Sequence, residues 1–431
     1  MLTDEFETDL REALDRCAAG VPADLATRLR GHDYHPRGNR RYLVVTLVTV
    51  VVVAISTVAI ALQARQGRTS RALGGQPSSW RLVSDVGQLW QASAPGSLQS
   101  GVELACPTVS TCLARVMPAP GGPVSGPIQI EVTHDGGATW QRSTLPSDIT
   151  QASGQFGAID CVDANTCLTL AANSSDDYVL VETTDGGATW EELPGPPELA
   201  TAFAVSAISC TSATACVLIG GFAVGTPEVG SNAAEITTDG GLTWTQSDMP
   251  SESGVLQCFA DGRCITASSY SIDGGLTWTA AQLPPTQLPA PGTIVPAGGV
   301  VWSMSCGDSD DCVALTFIGN VLSTTDGGLS WDLQTPSGPG SGLAVTCASG
   351  AGCWAAGATE PGPGATWPTQ LGSPTEPVLD STVDQGSSWQ PAELPSGLDI
   401  SAVGEASCPT ATACYAIASG TNGLVLLSYG T

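Results

Sequence analysis

The chain has 431 residues, of which 51 are glycine and 30 proline, and aromatic residues make up only 5%. It carries 41 acidic residues against 14 arginines and no lysine, a formal charge of −27. That balance excludes non-specific nucleic-acid binding and adhesion to anionic lipid headgroups, since both need clustered Arg or Lys.

Residues 1–41 carry 8 acidic residues and 7 arginines and are nearly neutral. Phe6, Leu10, Ala13, Leu14 and Cys17 recur at helical spacing, and Gly20 with Pro22 stops the run. The expectation is a short helical segment, too small to form a core. Tyr42 to Ala64 is an uncharged apolar run. As a helix it would reach roughly 35 Å, enough for a hydrocarbon core of about 30 Å. It lies too far from the N-terminus for an ordinary signal peptide and is read as a single transmembrane helix. Residues 65–79 are polar and Gly/Ser-containing and read as a linker.

Arginines flank the apolar run on both sides, so positive-inside counting does not orient it. Cysteine usage does. Cys17 precedes the run, and the other 14 of the 15 cysteines follow it in evenly spaced pairs. Dense paired cysteines belong in an oxidising compartment. The expected topology is a cell-membrane, single-pass chain with residues 1–41 cytoplasmic and residues 80–431 outside.

From Trp80 onward two motifs alternate. One is Thr-Asp-Gly-Gly-x-Thr-Trp, with copies carrying Asp135/Trp140, Asp185/Trp190, Asp239/Trp244, Asp273/Trp278, Asp326/Trp331 and Asp384/Trp389. Ser84 to Trp90, with Asp85, reads as a degraded seventh copy. The other motif is a cysteine pair enclosing five residues: Cys106/Cys112, Cys161/Cys167, Cys210/Cys216, Cys258/Cys264, Cys306/Cys312, Cys347/Cys353 and Cys408/Cys414. A period of about 50 residues marks a repeat architecture. Each repeat reads as four short strands with turn signals between them, the blade of a β-propeller.

In each box the aspartate can accept backbone N–H bonds across a tight turn, a glycine supplies a positive φ, and the tryptophan can wedge between sheets. The pattern Ser/Thr-x-Asp-x-Gly-x-Thr-Trp is the Asp-box, and residues 80–431 resemble the BNR/Asp-box propellers, a group that includes sialidases, sortilin-type receptor domains and photosystem II assembly propellers. The resemblance implies an all-β, seven-bladed β-propeller with the boxes on the outer rim, away from the central binding face.

The cysteine pairs suit a disulfide clamping the loop between the first two strands of each blade, about 2 kcal/mol apiece by loop entropy. Isolated pairs with only three histidines in the chain do not assemble tetrahedral zinc sites. One carboxylate per box does not make a calcium site. No metal or cofactor is expected. The last cysteine pair is followed by a strand-like run but no box, and the orphan box stands at the other end. The strand around Trp90 is therefore expected to complete the blade begun at 401–429 and close the ring at seven.

Sialidase chemistry needs three arginines converging on a carboxylate. Residues 72–431 hold only Arg81, Arg115, Arg142 and Arg263 against 33 acidic residues, a net of −29. Arg263 lies in a cysteine loop, Arg142 on an outer strand and Arg115 on a second strand. Trp80-Arg81-Leu82-Val83 is similar to the Phe-Arg-Ile-Pro signature but lacks its proline. His134 precedes a box aspartate and reads as a rim residue. No catalytic residue is nominated. The expected role is non-catalytic binding or scaffolding of an envelope protein or glycan. A sensor relaying binding to the cytoplasmic segment, or a sialidase-like hydrolase, is the alternative. The candidate binding surface is the variable segments 172–177, 221–233, 281–298 and 357–377. Trp367 is expected in a loop, and Trp302 and Trp354 in the core.

Overall fold

The computed structural model describes residues 79–430 apart from the segments 87–101, 117–128, 152–158, 197–198, 200–203, 223–230, 288–293, 297–300, 317–318, 335–342, 349–351, 360–375 and 421–422 and positions 176 and 252. The cytoplasmic segment 1–41, the apolar run 42–64, nearly all of the linker, Trp90 and Trp367 lie outside the described residues. Among the described residues no helix is long and apolar enough to cross a membrane.

Seven antiparallel sheets follow one another as blades. The innermost strands, blade 1 to blade 7, are Val102–Ala105, Ile149–Gln151 with Asp160–Cys161, Ala204–Ser212, Leu256–Cys258, Val301–Cys306, Ala344–Ala348 and Ile400–Thr410. Each blade then adds three strands outward, as Cys112–Val116, Gln129–Thr133 and Gln141–Arg142 do in blade 1. Blade 7 takes its outermost strand, Arg81–Asp85, from the other end of the ring, with Arg81 opposite Ser428 and Asp85 opposite Val425. This closure leaves no unpaired gap between first and last blades, the edge problem that open sheets must otherwise manage. The segment 281–298, expected as a loop, contains an extra hairpin, Pro285–Gln287 with Ile294–Pro296.

Strands alternate in direction, so topology fixes the two ends of the ring. The turns between strands one and two and between strands three and four lie at one end, here called the box end. The loops between strands two and three and the connections to the next blade lie at the other, the loop end. All seven cysteine pairs are disulfides and clamp the box-end turn of the inner hairpin. In blade 3, Cys210 and Cys216 stand directly opposite each other in the ladder, 4.0 Å apart at Cα.

The disulfides are more than the loop clamps expected of them. The second cysteine of every pair begins or nearly begins the second strand of its blade, and Cys112, Cys167, Cys216, Cys264, Cys312, Cys353 and Cys414 are all buried. Each belongs to an apolar cluster between blades. Of the first cysteines, Cys161, Cys347 and Cys408 are only half-buried. The asymmetry follows from the strand order: the second strand is covered on both edges, whereas the first faces the channel.

The boxes form the second box-end turn. In blade 2, Thr183 Oγ1 accepts from Gly187 N (2.9 Å) and donates to Asp185 Oδ1 (2.9 Å). Asp185 in turn accepts from the backbone N–H of Thr189 (2.9 Å) and from its hydroxyl (2.6 Å). The same ring of bonds recurs at Asp135, Asp239, Asp273, Asp326 and Asp384. The first box glycine ties this turn to the disulfide loop of its own blade: Gly136, Gly186, Gly240, Gly274 and Gly327 donate to carbonyls of Ser110, Asn165, Thr214, Gly262 and Asp310. In blade 6 that glycine position is held by Gln385 at φ 57, the one non-glycine with positive φ among the described residues.

Hydrophobic packing lies between blades. Seven buried clusters occupy the seven junctions, and each box tryptophan enters the cluster shared with the preceding blade. This qualifies the rim placement implied for the boxes: the aspartates stay at the surface, but the indoles turn inward, where their apolar area leaves water. Trp190 and Trp331 are buried, Trp190 against Leu113, Ile130 and Val132 of blade 1 and Trp331 against Ile265 of blade 4. Trp140, Trp244, Trp278 and Trp389 are half-buried against the edges of their clusters. Trp244 also donates through Nε1 to Gly241 O (3.0 Å) of its own box and to Pro194 O (3.2 Å) of blade 2.

At the junction of blades 6 and 7 the tryptophan in that place is Trp80, 2% exposed. Its ring meets Trp354 edge-on at 5.3 Å and Tyr429 at 5.6 Å. The strand that completes blade 7 is Arg81–Asp85, which includes Asp85, and Trp90 lies outside the described residues. Ser84 donates to Gly137 O (2.7 Å), the bond that Ser143 makes to Gly187 O one junction on. Trp140 and Ser143 are three residues apart and Trp80 and Ser84 four; the irregularity between Leu82 and Ser84 absorbs the extra residue.

The second box glycine abuts the preceding blade. A β-carbon on Gly328 (φ +80) would stand 2.7 Å from Ile265 Cγ2, whereas one on Gly274 (φ +74) would meet nothing within 4 Å. Gly274→Ala is therefore expected to cost only the left-handed strain, about 1 kcal/mol, and Gly328→Ala about 2–4 kcal/mol because overpacking is added. Urea unfolding of the two variants compares them directly.

The box carboxyls also set the acid limit. The Thr139 hydroxyl holds Asp135 down at about 2, and equivalent hydroxyls lower Asp185 and Asp239. For Asp273, Asp326 and Asp384, burial pushes upward but is outweighed by the same turn bonds. Depressed carboxyls stabilise the fold fully above their unfolded value near 4 and cease to do so as pH falls through the folded one. Thermal stability is expected to fall steeply between pH 4 and 2. Asp135→Asn should flatten that limb; an unchanged slope would show that the boxes do not govern it.

Candidate functional site

Besides a cavity at the box end of the seam, lined by Arg81, Val109, Asp135, Tyr415 and Ser428, the ring offers two surfaces: the wall of the central channel, made by the innermost strands, and the loop end. The residues singled out by repetition in the sequence build neither surface. The box aspartates cap turns, Trp140, Trp190, Trp244, Trp278, Trp331 and Trp389 pack between blades, and the fourteen paired cysteines are joined as disulfides.

On the channel wall, each innermost strand has an edge with no further strand beside it. The residue before the first cysteine covers that edge for the next blade. Ser407 Oγ accepts from Cys106 N (3.0 Å), Ser209 Oγ from Cys258 N (3.0 Å), Gln257 Oε1 from Cys306 N (2.9 Å) and Ser305 Oγ from Cys347 N (2.9 Å). The Asp160 carboxylate accepts from Cys210 N. Burial pushes the Asp160 carboxyl up to about 6, against the bonds from Cys210 and Ser209 that favour its charged form. These residues are a circumferential belt that the sequence signals as a polar residue before the first cysteine. Blade 1 has Ala105 there, which offers no acceptor. Its junction with blade 2 is bridged instead by Arg115.

Arg115 is fully buried and donates to Thr169 Oγ1 (3.1 Å) and Leu170 O (3.2 Å) of blade 2. Its Nη2 lies 2.6 Å from Glu103 Oε2. Glu405, on the innermost strand of blade 7, accepts from Leu104 N at 3.4 Å. Burial raises the Glu103 carboxyl, and Arg115 opposes the rise. Burial and then the Glu103 charge push Glu405 up to about 8. Sequence reasoning missed this cluster, because two glutamates 302 positions apart become neighbours only when the ring closes.

The four arginines of the ring do not converge. Arg115 serves Glu103, Arg142 pairs with Glu131 (3.0 Å), Arg263 pairs with Asp310 and Asp261, and Arg81 donates to Ser428 Oγ (3.2 Å). Arg263 links the disulfide loops of blades 4 and 5 at the box end. Among the described residues no group of three or more His, Cys, Asp or Glu could hold a metal ion.

At the loop end the described parts of the variable segments include the turn after Asn173 and the hairpin Pro285–Gln287 with Ile294–Pro296; most of 221–233 and 357–377 lies outside the described residues. Asn173 caps the turn at 172–177 by accepting from Ser175 N (2.9 Å) and Asp177 N (3.0 Å). Trp302 stands one residue into the innermost strand of blade 5, at the channel mouth, and follows the extra hairpin in sequence. It is 56% exposed, contrary to the core placement expected from its strand-like surroundings. The strand is irregular between Val301 and Ser303, so alternation does not carry Trp302 inward. Trp354 is in the aromatic cluster at the ring seam, as its strand pattern implied.

No protein-family profile and no curated protein matches the chain. Among solved structures, YCF48 bound to D1 peptide aligns with 84% of this chain and 97% of its own, at 15% identity and a TM-score of 0.47. YCF48 from Cyanidioschyzon merolae aligns with 82% of this chain and 98% of its own, at 12% identity and a TM-score of 0.47. The WD40 β-propeller domain of Doa1 aligns with 81% of this chain and 97% of its own, at 10% identity and a TM-score of 0.46.

Proposed function

We propose that this chain is a membrane-anchored, extracytoplasmic propeller that binds or scaffolds an envelope protein or glycan through its loop end, without catalysing a reaction. The observation that carries the reading is Trp302. The other described tryptophans are wholly or partly buried between blades, while this one presents its ring at the channel mouth. An indole that is apolar on its faces and a donor at its edge suits contact with a sugar ring or a peptide. The box end offers less. Its repeated aspartates are occupied as turn acceptors, and Arg263 there is held by its loop carboxylates. Engagement of all four arginines inside the fold supports the non-catalytic reading over a sialidase. The anchor rests on the apolar run at 42–64, and the outward orientation on the segregation of Cys17 from the paired cysteines.

Two experiments test the halves of this reading. With Trp302 replaced by p-benzoylphenylalanine, ultraviolet irradiation of intact cells is expected to give a discrete adduct. The same probe at Ile272, exposed at the box end, is expected to give none. Adducts at 272 alone would move the binding face to the other end. Protease treatment of intact cells, or of spheroplasts where a wall intervenes, is expected to remove the propeller and spare residues 1–41. Full protection of the propeller would reverse the orientation.

A further inference from the structure

The cluster of Glu103, Arg115 and Glu405 lies where the ring closes, and its charges do not balance. One guanidinium faces two carboxylates across the junction of blade 7 and blade 1. We propose that Glu405 is a proton-operated latch: protonated, it holds the innermost strand of blade 1 against blade 7, and its ionisation loosens that junction.

The geometry sets what each group does. The strand Val102–Ala105 presents an edge to blade 7. Two of its flanking amides are met by side chains from blade 7, Leu104 N by Glu405 and Cys106 N by Ser407. Arg115 is committed to Glu103, at 2.6 Å, and to the two blade 2 oxygens. It neutralises one carboxylate. With Glu405 protonated the cluster is balanced: one anion, one cation, one neutral acid. Loss of that proton leaves a second, half-buried anion beside Glu103 with no cation of its own, an arrangement tolerated poorly where bulk water is partly excluded.

Among the described residues, the other groups packed against the blade 7 inner strand supply no counter-charge. The neighbouring second strand of blade 7 carries Tyr415, whose hydroxyl donates to Val109 O (2.6 Å) at the box end. Its pKa is raised by burial, so it stays neutral in the range concerned. The inner strands of blade 6, Ala344–Ala348 and Gly352–Thr359, carry no ionisable side chain apart from disulfide-bonded cysteines. Asp380, on the third strand of blade 6, is another acid with its pKa raised by burial. Arg115 is thus the cation available to the cluster, and Glu103 already holds it.

The sign follows from linkage. Glu405 binds its proton in the closed ring up to about pH 8 and, in an opened junction, only below its ordinary value near 4.5. The stabilisation is complete below 4.5 and is lost as pH rises toward the folded value. For one proton, the opening equilibrium rises about tenfold per pH unit between 5 and 8 and levels above that.

Hydrogen–deuterium exchange of the full chain in detergent, read on peptides covering 102–106 and corrected for the intrinsic pH dependence of amide exchange, tests this. The wild type is expected to show the tenfold-per-unit rise across pH 5–8 at the blade 7/blade 1 junction, and to continue it from pH 6 to 8 there alone, because Asp160 at the blade 2/blade 3 junction levels at about 6. Glu405→Gln, which keeps the acceptor for Leu104 N but cannot ionise, is expected to show a flat profile. Should that variant not fold, Glu103→Gln serves instead: removing the neighbouring anion and releasing Arg115 is expected to move the plateau below pH 8. A flat wild-type profile, an unaltered slope in Glu405→Gln, an unmoved plateau in Glu103→Gln, or equal loosening of all blades would overturn the latch.

Discussion

Six of the seven blades stand against the preceding blade through a contact that leaves little room for a β-carbon. The second box glycine of one blade touches the sheet of the blade before it, as Gly187 does Leu113 and Val132, and Gly386 does Val321. That close approach lets the box tryptophan reach the cluster between blades. It also lets the outer strand of the preceding blade reach box carbonyls, as Thr144 and Gln282 do through their amides. A sheet of four short strands cannot bury both faces alone, so the apolar cores lie between blades and each depends on this approach. The boxes are therefore junction parts as much as turns. The aspartate closes a ring of turn bonds that holds the glycine in place.

The seam solves the same packing problem by other means. Blade 7 has no intact box in its own run of sequence. Its wedge is Trp80, supplied from the start of the ring, and Trp354 and Tyr429 fill the space around it. At the channel side, the belt of side chains that covers each inner edge continues through Ser407 and is supplemented by Glu405. Most of the belt residues are neutral. Charge enters at Asp160 and at the Glu103–Arg115–Glu405 group, on the junctions flanking blades 1 to 3. The buried charge of the channel wall is thus concentrated near the ring's closure.

The acidity has a different consequence at each end. Box-end aspartates such as Asp135, Asp163, Asp261 and Asp308 are consumed by turn and loop amides. The loop end is less regular because its connections carry no repeated hydrogen-bond pattern, and insertions such as the hairpin before blade 5 are accommodated there without disturbing a junction. Trp302 owes its exposure to that irregularity.

Period, motif and pairing were legible in the linear chain because they are local. A turn of seven residues and a cysteine pair enclosing five need no distant partner to be recognised, and the seven pairs count the blades. The exact closing strand was less legible. Ser84 to Trp90 has the letters of a box, but Gln76-Pro77-Ser78-Ser79-Trp80 matches Gln385-Gly386-Ser387-Ser388-Trp389 more closely and ends on the tryptophan that fills the seam. What the sequence by itself determined was the repeat, the strands and the disulfides, all set by residues within one blade. Tertiary structure alone decided the seam register, the burial of the second cysteines, the exposure of Trp302 and the meeting of Glu103, Arg115 and Glu405. Each of those depends on contacts between chain segments tens to hundreds of residues apart, whose packing and desolvation do not exist until the ring is closed.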